Sequence, residues 1–222
     1  MKMPYPPVAL FAAACLLANH GLANASDATL GVTAQIQPSA CDIGFAGETG
    51  ASLGKISMGD LQVGQATVLP DVELDLQIRC AAPTRVALTV ENGVQHNGAA
   101  GTVPAALGVH WTEMMLIKEA DHVVAGYTLR LPIGGQFADG NTTAPLTREG
   151  EGGWKPLGFM DTISNSPMLE RSYSWGGSGF AQAYQAIDAR VVMRAAVIDR
   201  ELLPAGDEIE FDDRVAFSLT YL

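Results

Sequence analysis

Val215-Ala216-Phe217-Ser218-Leu219-Thr220-Tyr221-Leu222 alternates apolar with small or polar side chains over the last residues of the sequence, the two-residue period of a β-strand with one buried face. This pattern predicts a final strand that ends at the Leu222 carboxylate, with Val215, Phe217, Leu219 and Tyr221 sharing a face. Toward the opposite end, Leu30, Val32, Ala34 and Ile36 alternate with Gly31, Thr33, Gln35 and Gln37, which places four apolar side chains on one face of another strand. Both strands need partners. From alternation alone, the favoured reading of residues 28 to 37 is the first strand of an ordinary complete sandwich.

Residues 1 to 25 read as an export signal. Lys2 supplies a basic start, Val8 to Ala18 a short apolar stretch, and Ala23-Asn24-Ala25 a small-residue cleavage site. That apolar stretch is too short for a membrane span, which takes about 20 residues. A lipoprotein reading through Cys15 lacks the usual Leu in Ala12-Ala13-Ala14. Residues 26 to 222 then form one domain, long enough for an all-β fold with a sizeable core. Loss of the signal leaves Cys41 and Cys80, an even pair that in an exported chain predicts one disulfide. Closing a loop of that length stabilises the fold by roughly 4 kcal/mol in the chain-entropy model. Thirteen basic and 24 acidic residues give a net charge of -11, which argues against nucleic acid as a partner.

The chain between these landmarks is rich in turn signals. Gly44, Gly47, Gly50 and Gly54 preclude a long helix. Val72, Leu74, Leu76 and Ile78 alternate with charged and polar residues as a strand running into Cys80, and Val86, Leu88 and Val90 alternate again after Ala81-Ala82-Pro83-Thr84. Further strands are expected at Val109 to Trp111, Met114 to Ile117 and Tyr127 to Ile133. A polar surface loop is expected from Ala138 to Gly153, a short helix at Ala181 to Ile187, and a buried strand at Arg190 to Asp199. Leu203-Pro204-Ala205-Gly206 reads as a turn before Ile209 and Phe211. Short strands separated by turns favour a β-sandwich. The strand order across residues 94 to 186 does not follow from the pattern.

Catalytic signatures are missing. Gly176-Gly177-Ser178-Gly179-Phe180 fails the nucleophile-elbow pattern at its last position and reads as a turn. His96, His110 and His122 lie far apart without metal-ligand spacing. Asp212-Asp213, and Glu149 with Glu151, read as solvated turns rather than an acid/base pair. No cofactor is expected, and no enzyme activity. Asn141-Thr142-Thr143 matches a glycosylation acceptor, a mark of an exposed loop. Trp111, Trp154 and Trp175 are residues that can stack on sugar rings, although isolated Trp more often belongs to a core or its rim.

In order, the sequence runs from an export signal through an alternating segment, Gln37-Pro38-Ser39-Ala40-Cys41, a Gly-rich run and a strand ending in Cys80 to a last strand with Tyr next to its end. This order resembles the subunits of chaperone/usher fimbriae. Leu53-Gly54-Lys55-Ile56-Ser57, Leu69-Pro70, Cys80-Ala81-Ala82-Pro83-Thr84 and Asp212-Asp213 resemble more closely a fimbrial-like family described only as a domain of unknown function. The resemblance covers roughly residues 30 to 93 and 187 to 222.

That resemblance implies an all-β, incomplete immunoglobulin-like (pilin) sandwich with one disulfide, one strand short, whose groove is filled by β-strand addition. It implies a structural subunit exported through the periplasm to a surface fimbria. Its partners would be a periplasmic pilus chaperone, an outer-membrane usher and neighbouring fimbrial subunits. Within a donor segment of residues 26 to 37, Leu30, Val32, Ala34 and Ile36 would enter the neighbour's groove. Val215, Phe217, Leu219 and Tyr221 would border this subunit's own groove, and the Leu222 carboxylate would meet a basic chaperone residue. Burying four apolar donor residues contributes roughly 6 to 12 kcal/mol before ordering costs. Ala34 departs from the family pattern, in which Gly is common at this place. The competing expectations are a fimbrial adhesin or minor tip subunit that binds a glycan through the Trp-bearing middle region, and, well below it, a secreted hydrolase.

Overall fold

The computed structural model describes residues 40–47, 50–92, 101–119, 121–159, 161–163, 170–177, 179–204 and 213–222. The donor segment, the export signal, and residues 205–212, with the second half of the expected turn and Ile209 and Phe211, lie outside the described residues.

Fourteen strands and one short helix are present among the described residues, together with four 3-10 turns. The strands are β1 (Cys41–Phe45), β2 (Thr67–Val68), β3 (Val72–Thr84), β4 (Val86–Asn92), β5 (Met115–Glu119), β6 (His122–Arg130), β7 (Gln136–Ala138), β8 (Asn141–Thr142), β9 (Ala144–Glu149), β10 (Lys155–Pro156), β11 (Arg171–Gly177), β12 (Phe180–Ala181), β13 (Tyr184–Val197) and β14 (Val215–Tyr221). The helix, α1, is Val103–Leu107. One sheet has the order β1-β3-β13-β6-β5, with β2 and β7 also on β13 and β8 on β7; the other runs β10-β9-β11-β4-β14, with β12 on β11. Every strand pair is antiparallel. The chain is therefore an all-β, immunoglobulin-like sandwich with one disulfide.

The alternation read from the sequence accounts for the core. Leu76 and Ile78 of β3, Ile187, Ala189 and Val191 of β13, and Tyr127 and Leu129 of β6 meet Val86, Leu88 and Val90 of β4 and Tyr173 and Trp175 of β11 in one buried cluster. Arg85 alone separates β3 from β4, so the chain passes from one sheet to the other at that residue. Trp175 is fully buried, and its Nε1–H donates to Gln136 Oε1 at 3.0 Å. Gln136 donates in turn to the Pro132 and Arg190 carbonyls at 3.0 and 2.9 Å. The buried amide is thus satisfied on both sides.

A second, smaller core lies on the outer face of the first sheet, where Val103 and Leu107 of α1 pack with Met114, Leu116, Val123 and Ala196. Gly126 makes it possible: a Cβ there would stand 2.1 Å from Met114 Cε and 3.0 Å from Val103 Cγ1.

Several middle-region expectations need correction. Ala181 to Ile187 is not a helix but the end of β12 and the start of β13; apolar side chains at Ile187, Ala189 and Val191 continue a two-residue period that outweighs the helix-forming alanines. The expected loop at 138–153 carries β8 and β9. Its signal was Asp139-Gly140, both at positive φ (48° and 77°), the two-residue hairpin turn that Asp-Gly favours. Trp111 lies in a 3-10 turn at Trp111–Glu113 rather than in a strand, because the His110 ring accepts from the Thr112 amide and Glu113 returns to the His110 N–H. The strand expected to reach Ile133 stops at Arg130, short of Pro132.

Candidate functional site

The seam where β1 and β14 face each other is the candidate site. β1 pairs with β3 only, and β14 with β4 only, among the described residues, so each strand has an open edge. Antiparallel pairing alternates hydrogen-bonded with non-hydrogen-bonded residue pairs, so a strand's edge presents every second residue's N–H and C=O. Leu222 N–H donates to Arg85 C=O at 3.0 Å, which fixes the parity of the β14–β4 ladder. Counting back through the register, the open edge of β14 presents the backbone groups of Val215, Phe217, Leu219 and Tyr221. The β1–β3 ladder is fixed likewise by Ala81 N–H to Ala40 C=O and Ala46 N–H to Asp75 C=O. The backbone groups of Cys41, Ile43 and Phe45 therefore face away from β3.

On both walls the residues with outward-facing backbone groups also carry the inward-facing side chains. Val215, Phe217 and Leu219 are half-buried against the main core, as are Ile43 and Phe45. Phe45 and Phe217 meet edge to face with centroids 5.1 Å apart, and the Cys41 N–H donates to Tyr221 Oη at 3.1 Å. These two contacts run β1 and β14 antiparallel across the seam and set Ile43 opposite Leu219. Half-buried apolar side chains thus line both strands where they approach each other, and they belong to the residues whose backbone groups face away from β3 and β4. A strand laid against β14 would place each residue opposite Val215, Phe217 or Leu219 with its side chain turned toward the core.

The walls are anchored from behind. Cys41 and Cys80 form a disulfide with an S–S distance of 2.07 Å, at a directly opposed pair of β1 and β3. Tyr127, buried in the core, donates its hydroxyl to Asp213 Oδ2 at 2.5 Å just before β14 begins. Of the predicted site residues, Val215, Phe217 and Leu219 are half-buried along β14, Tyr221 accepts the Cys41 N–H, and Leu222 is exposed and extends the β14 ladder. The donor residues Leu30, Val32, Ala34 and Ile36 lie outside the described residues. Sequence reasoning missed β1 as the second wall, although Cys41, Ile43 and Phe45 alternate with Asp42 and Gly44; it also missed Tyr127.

The remaining candidates come apart. Trp175 is fully buried and cannot stack on a sugar. Trp154 has the Arg148 guanidinium over its ring at 4.6 Å, and Trp111, 40% exposed, sits beside His110. His122 starts β6 at the surface, and His96 lies outside the described residues, as do Asp212 and Ser178. No three His, Cys, Asp or Glu side chains among the described residues are grouped to hold a metal. Glu149 is an ion-pair partner of Arg171, which Glu113 also approaches. Burial lowers the Arg171 pKa, but the hydrogen bonds it donates to Glu149 and Glu113 and the nearby negative charge outweigh it and leave the pKa raised. Gly176 belongs to a strand whose partner leaves no room for a Cβ, with Phe180 C=O at 2.1 Å. Asn141 is exposed on β8, its amide donating to Asp139 C=O. No helix among the described residues is long and apolar enough to cross a membrane.

No family model matches the chain, and no curated protein matches it. Among solved structures, the crystal structure of the P pilus rod subunit PapA matches with a TM-score of 0.37 and 13% identity, covering 84% of this chain and 100% of that one.

Proposed function

We propose that this chain is a structural, non-enzymatic subunit of a surface fibre, one that completes its sandwich with a strand from another polypeptide. The observation that carries the reading is the seam between β1 and β14, where half-buried apolar side chains and open backbone groups fall on the same residues. A long strand edge backed by apolar side chains is an aggregation hazard in a lone subunit, and β-strand addition removes it. The occupant we assign is residues 26 to 37 of a second copy. Leu30, Val32, Ala34 and Ile36 supply four inward side chains at the spacing of Val215, Phe217, Leu219 and Tyr221. Before assembly a periplasmic chaperone would fill the same place, contacting β14 as far as Leu222, and an outer-membrane usher would exchange one strand for the other. Residues 1 to 25 would direct export, and residues 26 to 222 would form the single domain.

The test is a thermal-melting titration of the full chain with a synthetic peptide of residues 28 to 37, beside a peptide in which Val32 and Ala34 are replaced by Asp. The reading expects the native peptide to raise the melting temperature and the charged one to leave it unchanged. A full chain that is monomeric, stable and indifferent to both peptides would defeat it.

A further inference from the structure

We propose that the outer face of the first sheet holds a binding site for a small carboxylate, built by Arg130, Thr128 and Thr162. It stands apart from the seam between β1 and β14. Leu129 of β6 and Ile163 oppose each other in an antiparallel bridge, with Ile163 N–H donating to Leu129 C=O, and both side chains enter the main core. Arg130 and Thr162 are therefore opposed on the other face, and Thr128 shares that face two residues along β6. Thr128 and Thr162 are buried and Arg130 is half-buried. Both threonine hydroxyls and the Nε and Nη2 of Arg130 are buried without a hydrogen-bond partner among the described residues. Donors and acceptors in that condition cost free energy until a ligand or water satisfies them.

The neighbouring arginines indicate the chemistry that fits. Arg194, opposite Thr128 on β13, donates its Nε–H to Asp71 at 2.9 Å, and Arg190 points its Nε at Glu73 at 3.4 Å. Arg130 lies opposite Val192, between those two positions, and no acid meets its Nε or Nη2. These two nitrogens form one edge of the guanidinium, whose parallel N–H groups grip both oxygens of a carboxylate. With the two hydroxyls, four donor groups face the four lone pairs that a carboxylate offers. Because the donors are buried, the fit is to an acid of one or two carbons, which enters beside the half-buried Arg130.

The experiment titrates the full chain with sodium formate, against sodium chloride at matched ionic strength. It follows the melting temperature and the proton–nitrogen NMR signal of the Arg130 Nε–H, assigned by its loss in Arg130→Lys. In wild type, formate should raise the melting temperature along a saturating curve that chloride does not reproduce, and the Nε–H signal should move along the same curve. Arg130→Lys keeps a charge but not the two-pronged edge, and should lose the saturable stabilisation. Thr128→Val and Thr162→Val preserve side-chain shape and should each weaken formate binding roughly 10-fold, the scale of one hydrogen bond to a charged group. Arg194→Lys is the control and should respond as wild type does. Equal responses to formate and chloride in wild type overturn the site. So does a saturable response that survives in Arg130→Lys or that either valine variant leaves unchanged, since the buried groups would then be satisfied by water alone.

Discussion

Replacing Phe217 by alanine separates what this residue does in the free subunit from what it does beneath an added strand. In the free chain the ring is half-buried and makes one edge-to-face contact with Phe45. An aromatic pair contributes about 0.5–1.5 kcal/mol beyond burial, and a partly covered ring contributes a fraction of the 1.5–3 kcal/mol of full burial. The substitution should therefore cost the free subunit about 2 kcal/mol. With a strand added along β14, Phe217 becomes an interior residue, where truncation of Phe to Ala costs about 3–5 kcal/mol. The difference, about 1–3 kcal/mol, must appear as weaker binding of the added strand, a factor of roughly ten for each 1.4 kcal/mol. Urea denaturation of wild type and variant, with and without the peptide of residues 28 to 37, measures both quantities. At fixed peptide the variant should gain about 1–3 kcal/mol less from the ligand than wild type does. Ser218→Ala, on the outer face of the same strand, is the control and should behave as wild type. Equal peptide affinity for wild type and Phe217→Ala would show that the bound strand does not cover this ring, and the site as described would be refuted.

Two further outcomes test the walls. Exchanging both Cys41 and Cys80 for serine should lower stability by about 4 kcal/mol, read as a reduced urea midpoint, and should abolish any effect of reductant on the melt. Gly126→Ala should cost about 1–3 kcal/mol through overpacking, because the added methyl meets Met114 and Val103; the loss should appear in the denaturation midpoint while peptide affinity holds, since this second core lies away from the seam.

Strand alternation was readable wherever one face of a strand meets the core and the other meets water, as in Val72 to Ile78, Val86 to Val90 and Val215 to Tyr221. It was incomplete where both faces are covered: of β6, only the part from Tyr127 onward was expected. β6 is buried along almost its whole length, because Tyr127 and Leu129 enter the main core while α1 covers the opposite side, so its sequence carries no two-residue contrast. β8 and β9 were hidden by polar composition; β8 sits in a hairpin with β7 marked only by Asp139-Gly140, and β9 pairs with β10 and β11 in the other sheet. The seam was half legible. One wall announced itself through Phe217 and Leu219, whereas Cys41 to Phe45 was obscured by Gly44 and by its neighbouring glycines. The contacts that anchor the walls, Tyr127 to Asp213 and Tyr221 to Cys41, join residues separated by 86 and 180 positions and leave no local trace.

The two edges of the second sheet are built in opposite ways. At one edge β10 is two residues long, Lys155–Pro156, and combines a charge with a proline that has no N–H to offer, the devices by which proteins blunt an edge against pairing. At the other edge β14 runs for seven residues without a proline or a charged side chain. Its outward side chains, Ala216, Ser218 and Thr220, are small and uncharged, and its inward ones are apolar. Nothing on the strand repels a neighbour, and every open backbone group is backed by a side chain that gains from further burial. Within this sheet, strand addition as proposed above would therefore favour β14 over β10.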